Sequence, residues 1–229
     1  MALGGVSAVR AVLVDVLGTL VELRPPAPAL RRALREEAGV DIGDETAQRA
    51  FGAEIEHYRA HHLEGGTPEG LERLRDDCAA VLHEAIGEPD LDRALVREAM
   101  LAALEFAPYP DAAPALRELR RRGLRLVAVS NWDCSLAKWL ERARLGELLD
   151  GAVSSAAAGE AKPAPAPFRA AIELAGVAPA EAVHVGDSPV ADIEGAAGVG
   201  VRAVLIDRAR VSDPAAGRIA SLAEVASLI

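Results

Sequence analysis

Short apolar runs that alternate with helical patterns constrain the fold of this chain most. The runs are rich in valine and show little alternation between polar and apolar positions. Such runs are typical of strands that are buried on both faces of a parallel sheet. They lie at residues 11–16, Leu124–Val129, Ala182–Val185 and Val201–Ile206, with Gly151–Ser154 as a weaker fifth candidate.

Helical periodicity fills most of the segments between these runs. The predicted helices are Ala112–Arg122, Cys134–Arg144, Pro167–Ala175, Val190–Ala197 and a last one near Ser221–Leu228. Strands that alternate with helices imply right-handed crossovers. We therefore predict an α/β fold with an open parallel sheet that is covered on both faces.

Residues 21–106 follow a different pattern, because they contain no convincing strand. Four stretches carry apolar residues at helical spacing: Leu30–Glu37, Glu45–His62, Leu71–Ile86 and Leu91–Leu104. Helix starts are marked by Asp44, Thr67-Pro68 and Pro89-Asp90. Pro25-Pro26 and Ala107–Pro110 bracket the block. We predict a core domain at 1–20 and 107–229 and an inserted α-helical domain at 21–106.

Composition excludes several classes of partner. The 229 residues carry a formal net charge of −10, which argues against nucleic acid or an anionic membrane surface. The longest apolar runs fall far below the roughly 18 residues of a membrane span. Two cysteines and the lack of a secretory signal pattern at the start of the sequence favour a cytoplasmic protein.

Polar residues follow the predicted strands at the point where each strand ends. They are Asp15 with Gly18-Thr19, Ser130-Asn131, Lys162-Pro163, and Gly186-Asp187 with Asp192. The carboxyl ends of parallel strands form one edge of a sheet, and open α/β sheets bind their ligands there. The sequence therefore predicts that one hydroxyl, one lysine and three acids meet at this edge.

These segments, in this order, resemble the haloacid dehalogenase superfamily. The matching pieces are "DVLGTL" at 15–20, "VSNWD" at 129–133, "GEAKPAPAPF" at 159–168 and "VGDSPVAD" at 185–192. With the helical block as a cap, the resemblance covers essentially the whole chain. It implies a Rossmann-like core, a hydrolase activity and a small anionic substrate.

The resemblance gives the edge residues their expected roles. Asp15 would be the nucleophile that forms a covalent intermediate, Ser130 would donate to the substrate, and Lys162 would neutralise negative charge. Gly18, Thr19 and Asn131 would complete the substrate-binding loops. Each residue also has a structural alternative: Asp15 or Ser130 as a cap of the segment that follows, and Lys162 as a surface lysine before a proline turn.

The charge at this edge predicts a cation. Asp15, Asp187 and Asp192 contribute −3 and Lys162 returns only +1, so a phosphate dianion would be strongly repelled. A Mg²⁺ ion would remove the conflict. By resemblance, its protein ligands are Asp15, Asp187 and the backbone carbonyl of Leu17. Asp192 would orient Lys162 or a metal-bound water from the second layer.

Leu17 departs from the phosphatases of the superfamily, which carry a second aspartate at this position. That aspartate protonates the leaving group, a contribution of roughly 10²–10⁴-fold. Three readings remain open: a Mg²⁺-dependent phosphatase that favours good leaving groups, a non-catalytic binding protein, and a 2-haloacid dehalogenase-like enzyme. His57 and His61 share a helix face and could supply an acid, although a solvated polar face is the favoured interpretation.

Overall fold

The structure, a computed structural model, describes residues 8–210 and 212–229. Its contacts divide the chain into two compact units. The core unit runs to Glu22 and resumes at Pro108, and the inserted unit is Leu23–Ala107. The predicted start of the inserted domain, residue 21, lies two residues before the observed start, and the predicted end, residue 106, lies one residue before the observed end.

The core unit is built on a six-stranded sheet in the order β5-β4-β1-β6-β7-β8, and every pair of neighbours is parallel. The strands are β1 (Ala11–Val14), β4 (Arg125–Ser130), β5 (Gly151–Ser154), β6 (Ala182–Gly186), β7 (Arg202–Ile206) and β8 (Arg218–Ile219). The predicted α/β fold with an open parallel sheet is confirmed. β1 lies between β4 and β6, and its last residue, Val14, is level with Ala128 and Val185.

Helices connect the strands of the sheet. They are α5 (Ala112–Arg121), α6 (Leu136–Arg142), α7 (Ser155–Ala158), α8 (Pro165–Ala175) and α9 (Gly195–Ala197), with a π-helix at Pro189–Glu194 and 3₁₀ turns at Gly146–Leu148, Pro179–Glu181, Pro214–Ala216 and Leu222–Ser227. Phe168 of α8 is fully buried in the same core cluster as Leu13 of β1 and Val127 of β4. Burying one such side chain contributes about 1.5–3 kcal/mol to the free energy of unfolding, so packing against α8 stabilises the position of β1.

The inserted unit consists mainly of four helices: α1 (Pro26–Ala38), α2 (Asp44–His61), α3 (Pro68–Ile86) and α4 (Arg93–Ala103). A 3₁₀ turn at His62–Gly66 follows α2. Thr67 caps α3 by accepting a 3.1 Å hydrogen bond from the Gly70 amide. Phe51 of α2 and Leu74 of α3 are buried in a core that belongs to this unit alone. None of the helices in the described residues combines the length and the hydropathy needed to cross a membrane.

One carboxyl group lies inside the inserted unit. Glu54 on α2 is only 4% exposed and accepts a hydrogen bond from the thiol of Cys78. Burial raises its pKa to about 7, because removing the carboxylate from water disfavours the charged form. This group is available to titrate near neutral pH.

The structure corrects several details of the sequence-based assignment. β2 (Val21–Leu23) and β3 (Phe106–Pro108) form a two-stranded sheet where no strand was predicted. Each is three residues long, and a polar residue or a proline interrupts its pattern. The helix predicted at Val190–Ala197 is the π-helix followed by α9, and the one predicted near Ser221–Leu228 is a 3₁₀ helix.

Candidate active site

Asp15 follows the central strand and is anchored on its backbone. Its amide donates to the Val185 carbonyl at 2.9 Å, which continues the pairing of β1 with β6. Its Oδ1 accepts from Lys162 Nζ at 2.7 Å and from Ser130 Oγ at 3.2 Å. Its Oδ2 is buried and has no partner among the described residues. One oxygen is therefore held in place while the other remains available to react.

Lys162 is buried beside this carboxylate, with a side chain that is 2% exposed. Its ammonium also donates to the Val129 carbonyl at 2.9 Å and to Asp192 Oδ1 at 2.6 Å. Burial disfavours the charged form, but the charges of Asp15 and Asp192 outweigh it and raise the pKa of Lys162. The side chain is therefore a buried, fully hydrogen-bonded cation, unlike the surface lysine of the structural alternative.

Asn131 aligns the backbone that carries this lysine. Its Oδ1 accepts from the Lys162 amide at 2.7 Å, and its Nδ2 donates to the Lys162 carbonyl at 3.0 Å. The end of β4 is thereby joined to the segment before α8. A direct contact of Asn131 with substrate stays a prediction.

Asp192 uses both carboxylate oxygens within the core. Oδ1 accepts from Lys162 and from His184 Nε2 at 2.9 Å, and Oδ2 accepts from the Ser188 amide at 3.0 Å. Burial opposes ionisation of Asp192, but the His184 hydrogen bond and the Lys162 charge outweigh it and lower its pKa. Gly186 leaves the space for this carboxylate, because a Cβ there would lie 2.2 Å from Asp192 Cγ.

His184, in the middle of β6, is not among the site residues predicted from the sequence. It is fully buried, and burial lowers its pKa, so the imidazole is neutral. The Nε2 proton is then the one donated to Asp192, and the Phe168 ring packs edge-to-face with the imidazole at 5.1 Å between centroids. A polar side chain in the middle of a strand with two buried faces was the signal that could have revealed it.

A glycine turn brings Asp187 towards Asp15. Gly18 adopts a φ of +84°, and a Cβ at this position would lie 2.0 Å from Asp187 Oδ2. The turn is closed by bonds from the Gly18 amide to the Val21 carbonyl at 2.8 Å and from the Leu20 amide to the Val16 carbonyl at 2.8 Å. Only glycine provides both this conformation and this approach. Asp187 itself is exposed.

Thr19 and Leu17 occupy the same turn in opposite environments. Thr19 is fully buried, and its hydroxyl has no partner among the described residues, so it lies inside the turn rather than at its surface. Leu17 is 36% exposed. A hydrophobic side chain thus stands at the edge where an acid would serve as a proton donor.

The three acids form a cluster suited to a hard cation. Asp15, Asp187 and Asp192 each place an oxygen within 4.8 Å of the others. Burial raises the pKa of Asp15 although Lys162 opposes the shift, and desolvation together with Asp15 raises that of Asp187 to about 6. Carboxylate oxygens are ligands that Mg²⁺ prefers, and these three carboxylates lie close enough together to share one ion. The residues therefore fit such an ion, with Asp192 already occupied by its own hydrogen bonds.

His57 and His61 lie on α2 of the inserted unit and are half-buried. Their rings stack with centroids 4.2 Å apart, and His61 Nδ1 lies 2.8 Å from the His57 carbonyl. The two rings are therefore engaged with each other and with their own helix, and the solvated polar face favoured from the sequence stays a prediction.

Comparison with known proteins identifies the same family that the sequence motifs around the site resemble. A family model described as haloacid dehalogenase-like hydrolase matches residues 9–200. The chain is 33% identical over 202 residues to haloacid dehalogenase-like hydrolase domain-containing protein 3 of Mus musculus, which covers 84% of this chain and 79% of that protein. It is 34% identical over 217 residues to glyceraldehyde 3-phosphate phosphatase of Methanopyrus kandleri, covering 90% and 87% respectively.

A solved structure extends this likeness to the fold. The HAD phosphatase of Thermococcus onnurineus superimposes with a TM-score of 0.63 at 26% identity, covering 96% of this chain and 97% of that one. The match of the family model over most of the chain, together with the parallel sheet and the acidic edge, leads to one conclusion. This protein belongs to the haloacid dehalogenase-like hydrolase family.

Proposed function

We propose that the protein is a Mg²⁺-dependent phosphatase that hydrolyses a small phosphorylated metabolite through a phospho-aspartate at Asp15. One observation carries the proposal: Asp15 has Oδ1 fixed by Lys162 and Ser130 and a buried Oδ2 without a partner. A carboxylate held in this way is oriented for attack by a single oxygen. The relative from Methanopyrus kandleri, named as a phosphatase, supports the same class of substrate.

The first chemical step uses Asp15 as the nucleophile. Oδ2 attacks the phosphorus, the new P–O bond forms as the bond to the leaving oxygen breaks, and the leaving group departs with the electron pair. Lys162 stays hydrogen-bonded to Oδ1, so its charge offsets the negative charge brought by the phosphoryl group. The Ser130 hydroxyl donates its single proton to Oδ1 in the absence of substrate, and it would turn this proton to a phosphoryl oxygen when substrate binds.

The second step returns the enzyme to its starting state. Water attacks the phosphorus of the phospho-aspartate, the bond to Asp15 breaks, and inorganic phosphate leaves. The carboxylate is regenerated and the proton of the water passes to solvent. Asp192 keeps Lys162 in position during both steps through its 2.6 Å hydrogen bond.

The proposed cation would be held by the side chains of Asp15 and Asp187 and by the backbone carbonyl of Leu17. When bound, it would neutralise the carboxylates and the phosphoryl oxygens. The close packing of Gly18 against Asp187 supports this set, because it brings the turn and the second carboxylate together.

Leu17 sets the expected substrate preference. An alkyl leaving group needs a proton as it departs, and leucine cannot supply one, whereas aryl and acyl phosphates have leaving groups that depart as anions. The missing acid is worth roughly 10²–10⁴-fold for substrates that need it. We therefore expect activated phosphates to react much faster than sugar phosphates.

The same leucine favours a second candidate, hydrolysis of 2-haloacids. Halide departs without a proton, so the exposed Leu17 side chain suits that reaction. The cluster of Asp15, Asp187 and Asp192 speaks for the phosphatase instead, because a haloacid needs no divalent cation to offset its single charge.

The decisive experiment is a panel of aryl, acyl and alkyl phosphates with and without Mg²⁺, run beside chloride release from 2-haloacids. Asp15→Asn should abolish turnover. Asp150→Asn is the matched control, since Asp150 lies at the opposite end of the strands, where its Oδ2 accepts from the Leu126 amide at 2.7 Å. Chloride release would favour the second candidate. Phosphate-mimic binding without turnover of any substrate would indicate a binding protein, and Mg²⁺-independent turnover would contradict the metal.

A further inference from the structure

A hydrogen-bonded network lies behind the catalytic turn and is not part of the proposed chemistry. Arg208, in the segment after β7, donates from Nη2 to the Thr19 carbonyl at 2.6 Å. Its Nη1 donates to Asp111 Oδ2 at 3.0 Å. Thr19 follows Gly18 directly. The guanidinium is therefore hydrogen-bonded to the turn that connects Asp15 to β2.

The position of Arg208 is itself fixed. Its guanidinium carbon lies 3.7 Å from the centroid of the Tyr109 ring, which places the cation against the aromatic face. A guanidinium is planar, and its donors point in fixed directions. Because one arm is bound to Asp111 and another to Thr19, the side chain sets the distance between these two residues.

Asp111 connects this arginine to the C-terminal segment. Its Oδ2 also accepts from Ser221 Oγ at 2.7 Å and from the Leu222 amide at 2.9 Å. Burial opposes ionisation of Asp111, but the bonds from Arg208 and Ser221 outweigh it and lower its pKa. Ser221 begins the 3₁₀ helix Leu222–Ser227, where Glu224 caps the Ser221 amide at 3.0 Å.

The turn lacks such support from its own bonds. Its internal hydrogen bonds link amides of Gly18, Thr19, Leu20 and Val21 to carbonyls of Val16 and Val21. They define the shape of the turn but do not tie it to the surrounding core. Two neighbouring carbonyls of the turn make that connection: Leu20 accepts from the Tyr109 amide at 3.0 Å, and Thr19 accepts from Arg208 Nη2 at 2.6 Å. Arg208 supplies the side-chain link of the two.

We propose that Arg208, oriented by Asp111 and Tyr109, is a positioning residue that holds the turn after Asp15 in its reactive arrangement. The Leu17 carbonyl belongs to this turn, and Asp15 lies two residues before it along the chain. The kinetic part of the inference rests on the proposed phosphatase activity, whereas the effect on the turn does not. Residues that act on a site through its ligands typically change activity by about 10–100-fold.

The test compares Arg208→Met with Arg202→Met. Arg202 is a matched control, because its Nη2 donates to the Leu228 carbonyl at 3.1 Å and thus holds the C-terminal segment without contacting the turn. Amide hydrogen exchange at Thr19, Leu20 and Val21 should accelerate in Arg208→Met and stay unchanged in Arg202→Met. Phosphatase kcat should fall by about 10–100-fold in Arg208→Met, with KM changed far less.

Two further variants separate positioning from general stability. Arg208→Ala should regain part of its kcat when millimolar guanidinium is added, since the space beside Tyr109 would accept the ion. Asp111→Asn should show the same direction of change with a smaller loss, and it serves in place of Arg208→Met if that variant fails to fold.

Unchanged exchange at the turn in the Arg208 variants would overturn the inference, as would an equal loss of kcat in Arg202→Met. If the wild-type protein turns over no phosphate ester, the proposed function fails. The exchange measurement then still decides whether Arg208 holds the turn.

Discussion

The substitution Lys162→Met tests how much the buried ion pairs of Lys162 with Asp15 and Asp192 stabilise the protein. Methionine has similar length and removes the ammonium that joins Asp15 and Asp192. Because the lysine side chain is 2% exposed, solvent cannot replace its charge. Removing one partner of a buried ion pair typically costs about 3–5 kcal/mol of the free energy of unfolding. We expect a loss in this range near neutral pH.

The loss should depend on pH in a defined direction. Without Lys162 the pKa of Asp15, already raised by burial, rises further. The folded state then keeps a proton that the unfolded state has released, so the free energy of unfolding falls as pH rises. The slope approaches about 1.4 kcal/mol per pH unit for one proton between the unfolded and folded pKa values. The destabilisation should therefore be small in mild acid and large in mild base.

Urea unfolding with a chelator, followed at about pH 5.5 and about pH 8.5, measures both quantities. Lys138→Met is the matched control, because Lys138 is an exposed lysine on α6. Lys162→Met/Asp192→Asn should recover part of the stability by removing one uncompensated charge. An Lys162→Met protein as stable as wild type at both pH values, or a loss that does not vary with pH, would refute the reasoning.

Three further outcomes are expected. Leu17→Asp should raise turnover of alkyl phosphates more than that of aryl phosphates, by up to roughly 10²-fold, in steady-state assays at fixed Mg²⁺; equal gains on both would contradict a role in leaving-group protonation. Because the pKa of Asp187 is raised to about 6, the melting temperature of the metal-free protein should fall as pH rises towards and through 6. Mg²⁺ or Asp187→Asn should make that fall shallower and leave the part that Glu54 contributes, and a slope unaffected by either would count against the cation. Glu54, with a pKa near 7, should lower stability as pH rises through neutrality. Glu54→Gln should flatten that dependence in unfolding curves, while Glu56→Gln, an exposed neighbour on α2, should leave it in place.

The features that were predicted correctly follow either from a local pattern in the sequence or from a general property of the fold class. β1 and β6 were recognised because strands buried on both faces need continuous apolar runs, and β5 was recognised at Gly151–Ser154 with the bounds the structure has. Asp15, Ser130, Lys162 and Asp192 meet because parallel strands end on one edge, which is a property of the fold class.

The features that sequence missed depend on contacts between distant segments. β2 and β3 are three residues long each and pair with a strand that is distant in the sequence, so neither carries a periodic signal. Arg208 binds a carbonyl that is 189 residues away along the chain, and no local pattern marks it. His184 was overlooked because its role depends on a hydrogen bond to Asp192, which lies in a later segment of the chain.

The central position of β1 ties the reactivity of the site to the cooperativity of the fold. Asp15 continues a strand whose two neighbours supply Ser130 and the segment leading to Asp187, and all three strands are inner strands of the sheet. Fraying begins at edges, and the edges here are β5 and β8. The backbone of the nucleophile is therefore expected to stay in place until the sheet unfolds as a whole, whereas the segment that carries Lys162 follows the edge strand β5.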